Sequence, residues 1–392
     1  MFLLVLVAGW LAAVSLLWQT SLPDDLTLPE VDTGVSRDIL AKAENFEAGQ
    51  RWSFVVSQLA VLVVLAAYAR YGARFARESA AGRIGTGMLL GMVGLALVWL
   101  SQLPFQFFET WWFRRYGLSN AGYFDWFFET WALLAAEFLF ICLWLLITMA
   151  LAARLRSSWW LAAVPVFVAV ALPFAFAFPY LVADAKDAPP DVTRAATRFA
   201  ARQGTEPVKV MVEEVSADTS LPNAYAAGLG PSRRIFLWDT LLDGRFDDRE
   251  VRVVLAHELG HHSRNHLWKG MAWYALLLLP LLGGVALITR RRGGLYEPRA
   301  VPLALLALVA GGLLLAPLDA ALSREYEAEA DWVALETTRD SAAARRLFRD
   351  FTREALEDPT PPGWAYQAFA THPSVQQRIA MAAAWEHRNG RR

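Results

Sequence analysis

Long apolar runs alternate with long polar blocks along this chain. Seven apolar runs, at roughly 2–18, 53–69, 86–104, 130–153, 158–182, 268–289 and 301–322, approach the length of about 20 residues that a helix needs to cross a hydrocarbon core. The fifth carries Pro165, Pro173 and Pro179, which predicts a kinked helix whose freed carbonyls need neighbouring helices or water. The first, Phe2 to Trp18, lacks the basic flank and small-residue cleavage site of a signal peptide and reads as an uncleaved membrane helix.

Polar sequence collects in two blocks, 183–266 and 323–392. Runs six and seven are joined by TRRRGGLYEPRA at 289–300, so they form a hairpin and return the chain to the side it left. The two blocks therefore meet and form one split domain. This divides the chain into a membrane region, 1–183, and a second domain, 184–392, interrupted by the hairpin. In the first block a helix is predicted at 192–203, strands at 207–215 and 233–239, and an edge strand in SLPNAYAAGLG between them. A helix follows from about Asp247 and leads straight into run six. The second block opens with a helix at 323–338 and closes on THPSVQQRIAMAAAWEH, where Ser374 and Gln377 fit a capping box. The fold class is mainly α: a polytopic membrane protein with about seven spans and a small α+β domain.

Composition agrees. Fifty-six per cent of the residues are hydrophobic, far above soluble domains, and the net charge of −1 gives nucleic acid nothing to bind. Cys142 is the only cysteine, which excludes a disulfide within the chain. Glu137 and Asp319 fall inside apolar runs, where an ionisable group faces a bundle interior or water. Arg70, Arg74, Arg77, Arg83, Arg154, Arg156, Arg290 to Arg292 and Arg299 mark the connections between runs two and three, four and five, and six and seven as cytoplasmic. That charge bias puts the split domain on the opposite side.

The chemistry concentrates in AHELGHHSRNH, residues 256–266, which holds four of the six histidines. Residues four apart share a helix face, so His257 and His261 can hold one metal, with Glu258 beside them as a base for metal-bound water. His262 and His266 repeat the spacing, but Ser263 stands where the base would be, and they read as a packing stripe continuing from Leu255 and Leu259. His387 sits in a solvated, arginine-rich tail. A catalytic zinc takes three protein ligands and keeps one position open. The third ligand is sought in SREYEAEAD, 323–331, where Glu327 and Asp331 share one face and Glu325 and Glu329 the opposite one. One pair can serve the metal while the other is a solvated face; periodicity does not choose between them.

In these motifs the sequence resembles the M48 metallopeptidases, specifically the CAAX prenyl protease 1 (Ste24-type) branch. SREYEAEAD matches the family pattern S-R-x-x-E-x-x-A-D, NAYAAGLGPSRRIFLWDTLL (223–242) resembles its N-A-x-x-x-G segment with the D-T-L-L that follows, and HPSVQQRIA resembles its H-P-S/T-x-x-x-R-I/L. FFETWWFRRYGLSNAGYFDWFFE, 107–129, is a looser match to a loop of this branch. The resemblance implies Glu327 as third ligand, Asp331 as an acid behind the ligands, His372 as a group stabilising the oxyanion, and Arg378 near the zinc centre, where it can also offer a donor to the oxyanion. It further implies that Asn223 and Ala224 lie on a substrate-aligning edge strand, and that the membrane helices enclose a water-filled chamber. One zinc ion per chain, peptide or protein substrates that are prenylated or membrane-associated, and an integral membrane location (the inner membrane in a bacterium) follow from it. It also implies a cytosolic active site, against the charge bias. Other readings are a site-2-type intramembrane protease using Asp319 as its acid, a zinc-stabilised scaffold without catalysis, and a transporter.

Overall fold

The computed structural model describes residues 2–77, 81–182 and 185–390. The N-terminal half is five helices: α1 (Phe2–Leu17), α2 (Arg37–Tyr71), α3 (Gly82–Tyr116), α4 (Tyr123–Leu155) and α5 (Trp159–Ala177). Pro165 and Pro173 lie inside α5, and Pro179 falls in the short turn that ends it. The expected boundary between the two regions falls at 183 and 184, outside the described residues. Glu137 belongs to α4, and its side chain also lies outside those described.

Among the described residues, five helical stretches are long and apolar enough to cross a membrane: Arg37–Ala76, Gly82–Tyr116, Phe138–Tyr180, His266–Arg292 and Pro298–Thr338. The expectation of seven spans is not reached by length and composition alone. The 43-residue stretch takes in the end of α4 and all of α5, two helices parted by a turn at Arg156–Ser158, and α1 has only 16 residues.

The second half begins with β1 (Ala185–Asp187), a strand too short to show in the sequence pattern, and α6 (Pro190–Gln203). Then come β2 (Lys209–Glu213), β3 (Ala224–Ala227) and β4 (Arg234–Trp238). The sheet order is β1-β2-β4-β3, with β2 and β4 parallel and the other pairs antiparallel. β3 is thus an edge strand, as expected. Helix α7 (Asp248–Ser263) starts at a capping box in which Asp247 accepts from the Glu250 amide and the Glu250 carboxylate accepts from the Asp247 amide. Its apolar face is buried: Leu255 and Leu259 pack in one core with Ile235 and Leu237 of β4. The membrane hairpin follows as α8 (His266–Thr289) and α9 (Val301–Thr338), then α10 (Ser341–Glu354), α11 (Gly363–Phe369) and α12 (Val375–Asn389). The box predicted at Ser374 and Gln377 caps α12.

Two departures from the sequence reading matter for the site. First, α7 does not run straight into the membrane. The chain breaks at Asn265, which sits in the left-handed region at φ 57°, and α8 starts afresh at His266. Asparagine tolerates that conformation better than most side chains. Second, α9 has no break where apolar sequence becomes acidic. It is one helix of 38 residues, so Glu327 and Asp331 ride on the same rod as a membrane helix. Trp332 and Leu335 at its polar end join the α7 core.

Candidate metal centre

Helices α7 and α9 lie in contact at Gly260, where an added Cβ would stand 3.4 Å from Ala330 Cα. That approach brings the side chains on their facing surfaces together. His257, His261 and Glu327 each offer a donor atom, and these lie within 4.8 Å of one another. His257 Nε2 is 3.1 Å from His261 Nε2 and 3.1 Å from Glu327 Oε2, and His261 Nε2 is 3.6 Å from Glu327 Oε1.

The remaining ring nitrogens settle what the inner ones can do. His257 Nδ1 lies 2.9 Å from Asp331 Oδ1, and an ionised carboxylate only accepts, so that nitrogen carries the hydrogen. Asp331 is held in turn by Arg378, whose Nε and Nη2 donate to its two oxygens at 2.7 Å each. In neutral His257 the Nε2 lone pair therefore points at His261 and Glu327. Two imidazole nitrogens and a carboxylate, converging with their lone pairs, suit a zinc-type cation. Without one, a proton takes the place. Burial opposes charge on His257, but hydrogen bonds to Asp331 and Glu327 outweigh it and raise the imidazole to about 10.

His372 lies on the open side of this cluster. Its side chain is 50% exposed, and its Nε2 sits 3.2 Å from Glu327 Oε2. Burial works to lower its pKa, but the Glu327 carboxylate wins and raises it. A cleft of about 100 Å³ is lined by Asn223, Ala224, His257, Glu258, Asp331, His372 and Arg378, among others. The chain leading to β3 is fixed from the membrane side: Thr219 Oγ1 donates to Leu118 O at 2.9 Å and Ser220 Oγ to Gly117 O at 3.0 Å, both acceptors in the loop after α3. His257, His261, Glu327, Glu258, Asp331, His372, Arg378, Asn223 and Ala224 thus lie in or beside one site.

Two sequence expectations fail here, and one alternative reading gains no support. Glu329 is not on a solvated face; it is 2% exposed, with His266 Nε2 at 2.9 Å and Lys269 Nζ at 3.7 Å. His262 and His266 do not form one stripe. His262 donates to Arg234 O at 2.9 Å, tying α7 to β4, while His266 turns back to His261 across the break at Asn265. Burial depresses His262 to about 4. Asp319, the acid of the intramembrane-protease reading, accepts from Trp273 Nε1 at 3.2 Å, and the metal-ligand group found among the described residues does not include it.

Residues 188–386, just over half of the chain, match the model of Peptidase family M48. The chain belongs to peptidase family M48. This M48 chain is 32% identical over 183 residues to "Uncharacterized metalloprotease YhfN" of Bacillus subtilis, covering 44% of this chain and 43% of that protein. It is 31% identical over 229 residues to "Protease HtpX homolog" of Acidiphilium cryptum, covering 52% of this chain and 73% of that protein. A "CAAX prenyl protease 1 homolog" of Oryza sativa subsp. japonica matches at 36% over 89 residues, 23% of this chain and 21% of that one. The chain thus spans less than half of the Bacillus and rice relatives. Among solved structures, Ste24p of S. mikatae superposes with a TM-score of 0.75 over 96% of each chain at 17% identity, so the membrane region and the M48 domain share that fold. With its apolar helices, the M48 chain is a multi-pass membrane protein.

Proposed function

We propose that this M48 chain is a membrane-embedded zinc metalloendopeptidase, with one zinc held by His257, His261 and Glu327. The observation that carries the reading is the convergence of those three donors at the wall of a cleft lined by His257, Glu258, His372 and the start of an edge strand. Zinc bound there would make its water acidic enough to lose a proton near neutral pH and would polarise a scissile carbonyl.

The chain's own groups divide the remaining work. Glu258, next to His257 on α7 and lining the cleft, takes the proton from the attacking water and passes it to the leaving amine. His372 donates to the developing oxyanion, where a fixed donor counts most. Asn223 and Ala224 hold the peptide extended by adding it to the free edge of β3. Arg378 grips Asp331, and Asp331 keeps the hydrogen of His257 on Nδ1 so that Nε2 stays available.

The substrates in this reading are membrane-associated proteins or peptides, processed at a CAAX-type C-terminus or cleaved internally in quality control. Seven helices cross the bilayer, with α1, α4 and α5 each crossing once, around a water-filled chamber capped by the M48 domain. The basic connections support a domain outside the cytoplasm: Arg83 and Arg156 both lie over the Tyr296 ring, at 4.6 and 4.5 Å, so three of them gather at one end. Cleavage profiling of membrane extracts by mass spectrometry, with Glu258→Gln as the control, tests the activity and its substrates together. Fragments that arise with both proteins alike would overturn it.

A further inference from the structure

We propose that His266 and Glu329 are positioning residues for the metal centre: a relay of two hydrogen bonds from the buried Glu329 carboxylate through His266 fixes the ring of His261 as a metal donor. The proposal rests on the reading of His257, His261 and Glu327 as the metal site.

The break at Asn265 makes the relay possible. In a continuous helix, residues five apart point about 140° away from each other, and His266 would stand under His262 instead. With Asn265 in the left-handed region, His266 folds back, and its Nδ1 lies 3.0 Å from His261 Nδ1. Its other nitrogen, Nε2, lies 2.9 Å from Glu329 Oε2. The His266 ring is stacked on Tyr326, with centroids 4.7 Å apart and planes at 7°, so it has little room to turn.

Hydrogen bookkeeping gives this chain one direction. If His261 offers its Nε2 lone pair to a cation, its hydrogen is on Nδ1. His266 must then accept at Nδ1 and carry its own hydrogen on Nε2. That hydrogen goes to Glu329, which as a carboxylate only accepts. No other arrangement of neutral rings satisfies both contacts and leaves His261 Nε2 free. The two ligand histidines are thus oriented by two separate carboxylates, Asp331 directly and Glu329 through an intervening ring.

Glu329 is itself anchored. Its Oε1 accepts from the Ser21 amide at 2.7 Å, in the strand of chain that follows α1, and Lys269 stands 3.7 Å from Oε2. Tyr326, under the His266 ring, donates to Leu17 O at 2.7 Å. The segment leaving α1 therefore buttresses the same relay from the far side.

The test is zinc affinity, measured by competition with a chromophoric chelator on the detergent-solubilised full chain. Thermal unfolding of the metal-free protein is measured in parallel. His266→Phe keeps a ring against Tyr326 and removes both nitrogens; it should weaken zinc binding about 10- to 100-fold. Glu329→Gln should weaken it less, since an acceptor oxygen remains. His266→Gln, whose carbonyl can accept from His261, should recover part of the loss. Glu325→Gln, on a neighbouring position of α9, should bind zinc as the wild type does. Wild-type binding with His266→Phe and Glu329→Gln both within twofold of it would overturn the proposal while leaving the metal site standing. So would a loss of metal-free stability in these variants with affinity unchanged. A wild type that holds no zinc would remove the metal reading and this proposal with it. If His266→Phe does not fold, the Gln variants decide by the same comparison.

Discussion

Arg378 holds Asp331 with two parallel hydrogen bonds, Nε to Oδ2 and Nη2 to Oδ1, both 2.7 Å long and both buried. Asp331 in turn receives His257 Nδ1–H. The pair links α12 to α9, and through His257 to α7. Removing the guanidinium leaves a buried carboxylate uncompensated, which costs about 3–5 kcal/mol. Arg378→Met should therefore unfold at markedly lower denaturant or temperature and lose metal together with stability. An unfolding curve that overlays the wild type would show that the pair does not hold the fold.

Ligand choice on α9 is tested by metal analysis after dialysis. Glu327→Ala should lose the metal, and Glu325→Ala should keep it. Glu329→Ala, which a simple face assignment would leave harmless, should also bind more weakly. Full metal content in Glu327→Ala would move the third ligand elsewhere.

His372 is half exposed and stands beside Glu327 on the open side of the site. Its removal leaves no buried group stranded except the Glu327 contact. His372→Ala should retain metal and stability but lower kcat by roughly 10²–10³, with a small change in KM. A change confined to KM would make it a substrate-binding group only.

Metal uptake should release protons. In the metal-free chain His257 is raised to about 10, so it is protonated at neutral pH. Because the folded value lies above the ordinary value of about 6.5, its ion pairs stabilise the metal-free fold fully below that pH. The contribution is lost as pH rises toward 10. A metal displaces this proton, so its apparent affinity should climb across the same window. Adding zinc at pH 7.5 in weak buffer should release about one proton or more per chain, read by a pH indicator. Uptake with no proton release would contradict the protonated state of His257.

Much of this site was legible because its parts are local. HELGH declares itself through the i, i+4 spacing on a helix expected from about Asp247. SREYEAEAD offered two faces, and spacing could not rank them; the family pattern did. What escaped was non-local. The Glu329–His266–His261 relay depends on a single left-handed residue, Asn265, between two helices that read as one. The sequence carried one faint signal, a polar Arg264-Asn265 step before the apolar run. The burial of Glu329 depends on the segment after α1 crossing some three hundred positions away, which no periodicity reports. The span count stands apart: α4 and α5 are parted only by the short turn at Arg156–Ser158 and α1 has 16 residues, so length and composition mark five stretches among the described residues.

The most direct test of the account is a paired measurement on Glu258→Gln: bound zinc by metal analysis and peptide-bond cleavage by mass spectrometry. The change keeps the size and shape of a side chain that touches no proposed ligand role and removes the base. The account predicts wild-type zinc content with cleavage lost. Wild-type cleavage by the variant would contradict it.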